Sequence, residues 1–309
     1  MKPPERSVHQ FRQLLLDLLE RLQIHHRERG ELDLIVDPKD QHKLPAVWRA
    51  LHRLGYPPVQ ARRQGRGWAC VFAWFDGLSL ETATVQLGFK RGGFWEPRPA
   101  PPSTGLCVVL LGPDGVGKST LIEGLEQTLG PLFSGRRVFH WRPGLALPIR
   151  DGDDSLAGPH AQPPRGALLS MAYLAGFFVD FCLGYAVRMR PLLTRRGLIV
   201  FDRYFPDLMV DPERYRYAGP AWLVKALWRI LPRGNAVTLI LTGSAEAILA
   251  RKQDLSLEEL RRQLPRYREL ETTLASAHVV DTGGGKQATL AAAARAVIDH
   301  LARGFAEAM

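Results

Sequence analysis

Lys118 and Ser119 close an eight-residue stretch, Gly112-Pro113-Asp114-Gly115-Val116-Gly117-Lys118-Ser119, whose residue types and spacing suit the holding of phosphate. Its glycines permit backbone angles that turn successive N–H groups inward, forming a nest for phosphate oxygens. Lys118 would reach the β- and γ-phosphates of a nucleotide, and the Ser119 hydroxyl would ligate Mg²⁺. The cradle for ATP is thus expected to comprise Gly112, Gly115, Val116, Gly117, Lys118, Ser119 and Thr120. A second group, Asp202-Arg203-Tyr204, follows the apolar run LIVF at 198–201. A carboxylate there sits where ligands bind in open α/β folds, at the C-terminal edge of the sheet, and Asp202 could hold Mg²⁺ through water. Arg203 could clamp an anionic acceptor group in bidentate fashion.

The flanking elements decide whether the first stretch is more than a glycine-rich turn. The apolar run LCVVLL (106–111) immediately precedes it and reads as a strand. A helix follows, with Leu121, Ile122, Leu125 and Leu129 on one side and Gly130-Pro131 as its stop. Strand, G-x-x-x-x-G-K-S and helix together make a P-loop. Beyond it, RVFHW (137–141), LIVF (198–201), VTLIL (237–241) and HVV (278–280) alternate with helical patterns. Continuous apolar strands separated by helices predict a parallel sheet covered on both faces. The fold class is therefore α/β, a three-layer P-loop NTPase fold with a central parallel sheet, preceded by a smaller α/β domain.

A loop reading GPDGVGKST, the triplet Asp202-Arg203-Tyr204 ending a later strand, and a downstream Ala-Arg-Lys at 250–252 resemble the thymidylate kinases. The resemblance spans roughly residues 105–300. It implies that Asp114, the acidic third residue of the loop, faces the acceptor. It also implies Asp202 near the metal, Arg203 near the acceptor phosphate, and Arg251 as the lid arginine, with Arg261 and Arg262 as weaker lid candidates. Lys118, Asp114, Arg203 and Arg251 are accordingly the expected catalytic set, Ser119 and Asp202 the metal ligands, and ATP and Mg²⁺ the cofactors. Ser256 and Glu259 form a capping box, so a new helix is expected after a break at 253–255. The chain also departs from the family. Its usual base-recognition residues are not found after the triplet, where FPDLMVDPERYRYAGPAW runs instead, and the segment from His140 to His160 is unlike a compact dTMP pocket. The implied acceptor is a nucleoside monophosphate. A sugar or glycolipid-linked acceptor is the alternative, and a nucleotide-binding regulatory protein without acceptor chemistry is a rival of another class.

Four prolines within residues 93–105 make a semi-rigid spacer, which places a domain boundary near residue 103: 1–102 and 103–309. In the first part, Phe11, Leu14, Leu15, Leu18, Leu19 and Leu22 form one helical stripe after the N-cap candidate Ser7. A second helix runs from about Leu44 to Gly55, and ELDLIVD, GWACVFAWF and LETATVQLGF read as strands. Gly30 to Val36 resembles the GxDxDLLV strand of nucleotidyltransferase-like domains, with Glu31 and Asp33 at the spacing that would put both carboxylates on one side. The upstream Gly-Ser of such enzymes is absent, and Gln86 occupies the later strand where a third carboxylate is expected. An amphipathic edge strand explains the same residues, and active transfer in this domain is not expected.

The composition of the 309-residue chain, 46% hydrophobic and 23% charged, is that of a globular protein. The formal net charge of +10 suits phosphorylated ligands or an anionic surface. The basic residues are scattered rather than gathered in one run, which argues against nucleic acid. Cys70, Cys107 and Cys182 have neither disulfide nor zinc spacing, and the N-terminus lacks the apolar core of a signal peptide; a cytoplasmic location is expected. Residues 167–187 are almost wholly apolar apart from Asp180, long enough to span a bilayer yet carrying a charge near the middle. They read as a buried or interface helix. Partial exposure would instead point to homodimerisation or to docking at a membrane or glycolipid.

Overall fold

A computed structural model describes residues 7–64, 67–89, 105–144 and 165–307. The proline-rich stretch at 93–104 and most of the segment from His140 to His160 lie outside these residues. The chain divides into two compact units, 1–103 together with 294–309, and 104–293.

The first unit begins with α1 (Val8–Arg21), which Ser7 caps by accepting from the Gln10 amide at 3.2 Å. There follow β1 (His26–Gly30), β2 (Asp33–Val36), α2 (Leu44–Arg53), β3 (Pro58–Gln64), β4 (Gly67–Asp76) and β5 (Ser79–Phe89). They build a mixed sheet in the order β1-β2-β5-β4-β3, parallel between β2 and β5 and antiparallel elsewhere. The apolar stripe of α1 buries Phe11, Leu15 and Leu19 against this sheet, where the Phe11 ring stacks on Trp74 at 5.4 Å. Trp48 of α2 and Phe305 near the C-terminus complete this core.

One expectation for this unit needs correction. His26-Arg27-Glu28-Arg29 forms the body of β1, paired antiparallel with β2. Glu31 therefore lies in the hairpin turn, and the carboxylates of Glu31 and Asp33 do not share a strand face. Asp33 is in register with Gln86 across the parallel pair, so the partner position is occupied by an amide. Among the described residues no three His, Cys, Asp or Glu side chains gather as a metal site.

The second unit runs β6 (Leu106–Leu111), α3 (Lys118–Leu129), β7 (Arg136–His140), α4 (Ala167–Gly184), α5 (Arg190–Thr194), β8 (Leu198–Asp202), α6 (Asp207–Val210), α7 (Ala221–Ile230), β9 (Ala236–Thr242), α8 (Ala245–Arg251), α9 (Leu257–Thr273), β10 (Ala277–Asp281) and α10 (Gly285–Glu307), the last from Ala294 onward counting with the first unit. Its sheet has the order β10-β9-β6-β8-β7, parallel throughout. Every residue of central β6 is buried. Cys107, Val109 and Leu111 pack into a core shared with α4, α7 and α9. Strand alternation turns Leu106, Val108 and Leu110 to the opposite face, the side on which α3 returns along β8. This is the three-layer α/β architecture of a P-loop NTPase.

The apolar segment at 167–187 forms a helix that is buried on one side only. One side of α4 is inside, with Ser170, Leu174, Asp180, Phe181 and Gly184 buried. The other is open: Leu168 is 80% exposed, Val179 50% and Val187 57%. A π-helical turn (Tyr185–Met189) joins α4 to α5. Asp180 is explained by the inner side, where it accepts from buried Arg142 at 2.8 Å. Removing either partner of such a pair leaves an uncompensated buried charge.

Candidate functional site

The parallel sheet ends in a loop, Gly112 to Gly117, that climbs from β6 into α3. Three of its glycines have left-handed backbones, at φ 149° for Gly112, 79° for Gly115 and 108° for Gly117. A Cβ on Gly112 would lie 2.9 Å from the Leu241 carbonyl oxygen, so close packing on β9 reinforces the conformational demand. The Lys118 amine donates to the carbonyls of Gly112 and Pro113, both at 2.9 Å, and lies 3.8 Å from Asp114. Burial, helped by the positive charge of Arg203, pulls the Lys118 pKa down to about 8.

A cleft of about 450 Å³ opens beside this loop. Lys118, Ser119 and Thr120 line it from α3, Asp202 and Arg203 from the end of β8, and Asp114 from the loop. Five of the sequence-predicted catalytic and metal residues, all but Arg251, are thus brought together. Asp202 is held at the sheet edge by the parallel register that sets it beside Leu110 and His140. Its Oδ2 lies 3.6 Å from His140 Nδ1, while Oδ1 is buried and has no hydrogen-bond partner. Burial pushes its pKa up, but His140 and Lys118 outweigh that and hold it below the usual carboxylate value.

Arg203 is the centre of the site, though not as a free clamp. It is buried in a left-handed backbone conformation, φ 68°, which is costly for a non-glycine residue and persists where surrounding contacts over-determine it. Those contacts are specific. One nitrogen donates to Asp207 at 2.6 Å and another to Asp114 at 2.6 Å. Asp207, fully buried, also accepts from Tyr215 at 2.7 Å and Tyr267 at 2.6 Å. Arg214 donates to the other oxygen of Asp114. Burial alone would raise the Asp114 pKa, but Arg203, Lys118 and Arg214 outweigh it and hold the carboxylate ionised, well below its usual range. Burial likewise opposes the Arg203 charge, and Asp207 and Asp114 keep its pKa well above the usual value.

Sequence reasoning missed four members of this group: Asp207, Arg214, Tyr215 and Tyr267. The signal for Asp207 was local, since it lies only four residues after Arg203. No sequence signal marks Arg214, which meets Asp114 across 100 residues. His140 ends the strand that pairs with β8, opposite Asp202. Beyond it, the Trp141 ring stacks on Tyr215 at 4.7 Å and meets Phe177 edge-on at 4.6 Å, forming an aromatic wall near Arg142.

Arg251 lines a different space. It ends α8 and borders a second pocket of about 460 Å³ with Val116, Gly117, Thr120, Thr282 and Leu290, on the other side of the loop and α3. Its guanidinium reaches the Thr282 carbonyl at 3.5 Å. From the expected lid, Lys252 and Asp254 border the first cleft, ion-paired at 2.5 Å. The helix break and the cap are present, with Ser256 accepting from the Glu259 amide at 3.1 Å. Arg261 and Arg262 pair with Glu246 and Glu259 and border neither pocket.

No protein-family model matches the chain, and neither does any curated protein. Among solved structures, it is similar to the crystal structure of thymidylate kinase from Ehrlichia chaffeensis. That likeness has a TM-score of 0.43 and 14% identity, covering 62% of this chain and 98% of that one. At such identity and score, it says nothing of substrate.

Proposed function

We propose that the second unit transfers the γ-phosphoryl group of MgATP to a small acceptor, with a nucleoside monophosphate such as dTMP as the first candidate. The observation that carries this reading is the convergence of Lys118, Asp202 and the Arg203–Asp114 pair on one cleft beside the glycine loop. A bare nucleotide-binding switch needs the loop and the metal carboxylate. It has no use for a carboxylate within that loop held by two arginines.

In this reading the loop amides and Lys118 hold the β- and γ-phosphates, and the second pocket receives the base, with Arg251 at its rim. Ser119 and Asp202 would hold Mg²⁺, which neutralises phosphate charge when bound. The unpartnered, ionised Asp202 Oδ1 fits that role. Mg²⁺ in such sites is held by one or two side chains plus the substrate phosphates. Asp114, kept anionic by Arg203 and Arg214, orients the attacking acceptor group. Arg203 fixes Asp114 and supplies positive charge where negative charge accumulates on the transferring group.

A sugar or glycolipid acceptor is the second reading, and the open apolar side of α4 favours it. The test is ATP consumption with dTMP and other nucleoside monophosphates, then with sugars and lipid-linked sugars. Turnover with dTMP supports the first reading and turnover only with a sugar or glycolipid the second. ATP binding without turnover on any acceptor would return the chain to the regulatory class.

A further inference from the structure

We propose that the α4–α7 face of the second unit docks on the surface of an anionic lipid bilayer. The face draws on two helices that are tied together at their ends and stand over one core. At one end, the Ala218 amide donates to Ser170 Oγ at 3.0 Å, tying the lead-in of α7 to the start of α4. At the other, Gly234 packs against Tyr185 and Leu193. Between them, Leu174 and Phe181 of α4 and Val224 and Trp228 of α7 share the core beneath. Outward point Leu168, Val179, Leu183 and Val187, joined by Trp222 at 67% and Ile230 at 68% exposure. An exposed apolar stripe along α4, with further large apolar side chains exposed on α7, marks an interaction site.

The charges on the same helices identify the occupant. Residues 167–197 and 221–235 contain seven basic residues: Arg188, Arg190, Arg195, Arg196, Lys225, Arg229 and Arg233. They contain one acid, Asp180, and it is buried against Arg142. An apolar centre with basic residues and no exposed carboxylate complements an anionic headgroup layer over acyl chains. A second copy of the chain fits poorly, because a two-fold interface would bring the same basic residues together with no acid on these helices to meet them. Nucleic acid would leave the apolar centre without a partner.

Ala167–Thr194 has the length and hydropathy to cross a membrane. It lies on the surface instead, because its inner side is committed to the sheet through Leu174, Phe181 and the Asp180–Arg142 pair. A spanning helix would have to abandon that core.

The experiment is flotation of the full chain with vesicles of phosphatidylcholine alone and of phosphatidylcholine mixed with phosphatidylglycerol. The wild type is expected to float with the anionic vesicles and to be released by salt. Val179→Glu with Leu183→Glu should abolish flotation. Lys225→Glu with Arg229→Glu should weaken it roughly 25-fold or more, taking about fivefold per basic residue. All these side chains lie outside the ATP site, so nucleotide binding should be unchanged, and the charge variant alters only exposed positions. No flotation by the wild type overturns the proposal, as does equal binding to both vesicle types. So does a wild-type dimer, seen by light scattering, that the Val179→Glu, Leu183→Glu variant dissociates while vesicles are ignored.

Discussion

Arg203 and Asp114, 89 residues apart in sequence, meet at 2.6 Å, and the contact joins the glycine loop to the end of β8. The same guanidinium reaches Asp207 at 2.6 Å. Arg203 therefore has two separable roles, holding Asp114 in place and closing a buried charge network with Asp207. Variants on either side of it should show different defects.

On the Asp207 side the defect should be in stability. Asp207→Asn keeps shape but removes the charge that pairs with buried Arg203. Losing one partner of a buried ion pair costs about 3 kcal/mol or more. Chemical denaturation should show the transition moving to lower denaturant by that amount. An unchanged midpoint would mean that the Tyr215 and Tyr267 hydroxyls, not the carboxylate charge, hold the network.

On the Asp114 side the defect should be in turnover. Asp114→Asn retains the loop and can still accept hydrogen bonds, so ATP affinity should change little. The rate should fall by about a hundredfold, the scale of losing one positioned electrostatic contact. Steady-state kinetics with the acceptor found in the panel separates these outcomes. Equal losses in ATP affinity and rate would make Asp114 a structural brace of the loop.

Lys118 gives a pH signature with opposite signs for binding and stability. Its pKa is about 8 in the folded protein against an ordinary 10.5. Above about pH 8 the amine loses its proton, so affinity for ATP should fall as pH rises. In the same window the unfolded chain holds more protons at this position than the folded one. Deprotonation of this group therefore favours the fold up to the ordinary pKa. Nucleotide titrations between pH 7 and 10.5 should show the inflection. In Lys118→Met affinity should be low and flat across that range, with turnover reduced about a hundredfold or more.

The sequence revealed most where structure is local. β6, the loop and α3 are contiguous, so their order and chemistry could be read directly, as could Asp202 at the end of an apolar strand. What escaped was assembled across long separations. Arg214 reaches Asp114 over 100 residues, and Arg142 reaches Asp180 over 38. Asp180 was legible as an anomaly in an apolar helix, but its partner was not. β1 escaped for another reason. His26-Arg27-Glu28-Arg29 has no apolar alternation, because it is an edge strand with little burial, and only its pairing with β2 makes it a strand. The exposure of α4 was illegible because its outward side is as apolar as its inward one, so periodicity could not distinguish them.

The seating of α4 can be tested at Gly184, whose added Cβ would lie 2.3 Å from Pro143 Cβ and 2.7 Å from its Cγ. Two effects compete in Gly184→Ala. Alanine favours the helix by about 1 kcal/mol over glycine. Overpacking against a rigid proline ring costs about 1–3 kcal/mol. A contact this short lies at the severe end, so the variant should be less stable by about 1–2 kcal/mol, measured as a lowered melting temperature. Because Pro143 follows Arg142, forcing the helix away should also strain the Arg142–Asp180 pair, whose geometry depends on that approach. A double-mutant cycle with Asp180→Asn should then show the two losses to be less than additive. Strict additivity would mean that the helix shifts at Gly184 without disturbing the pair one turn earlier.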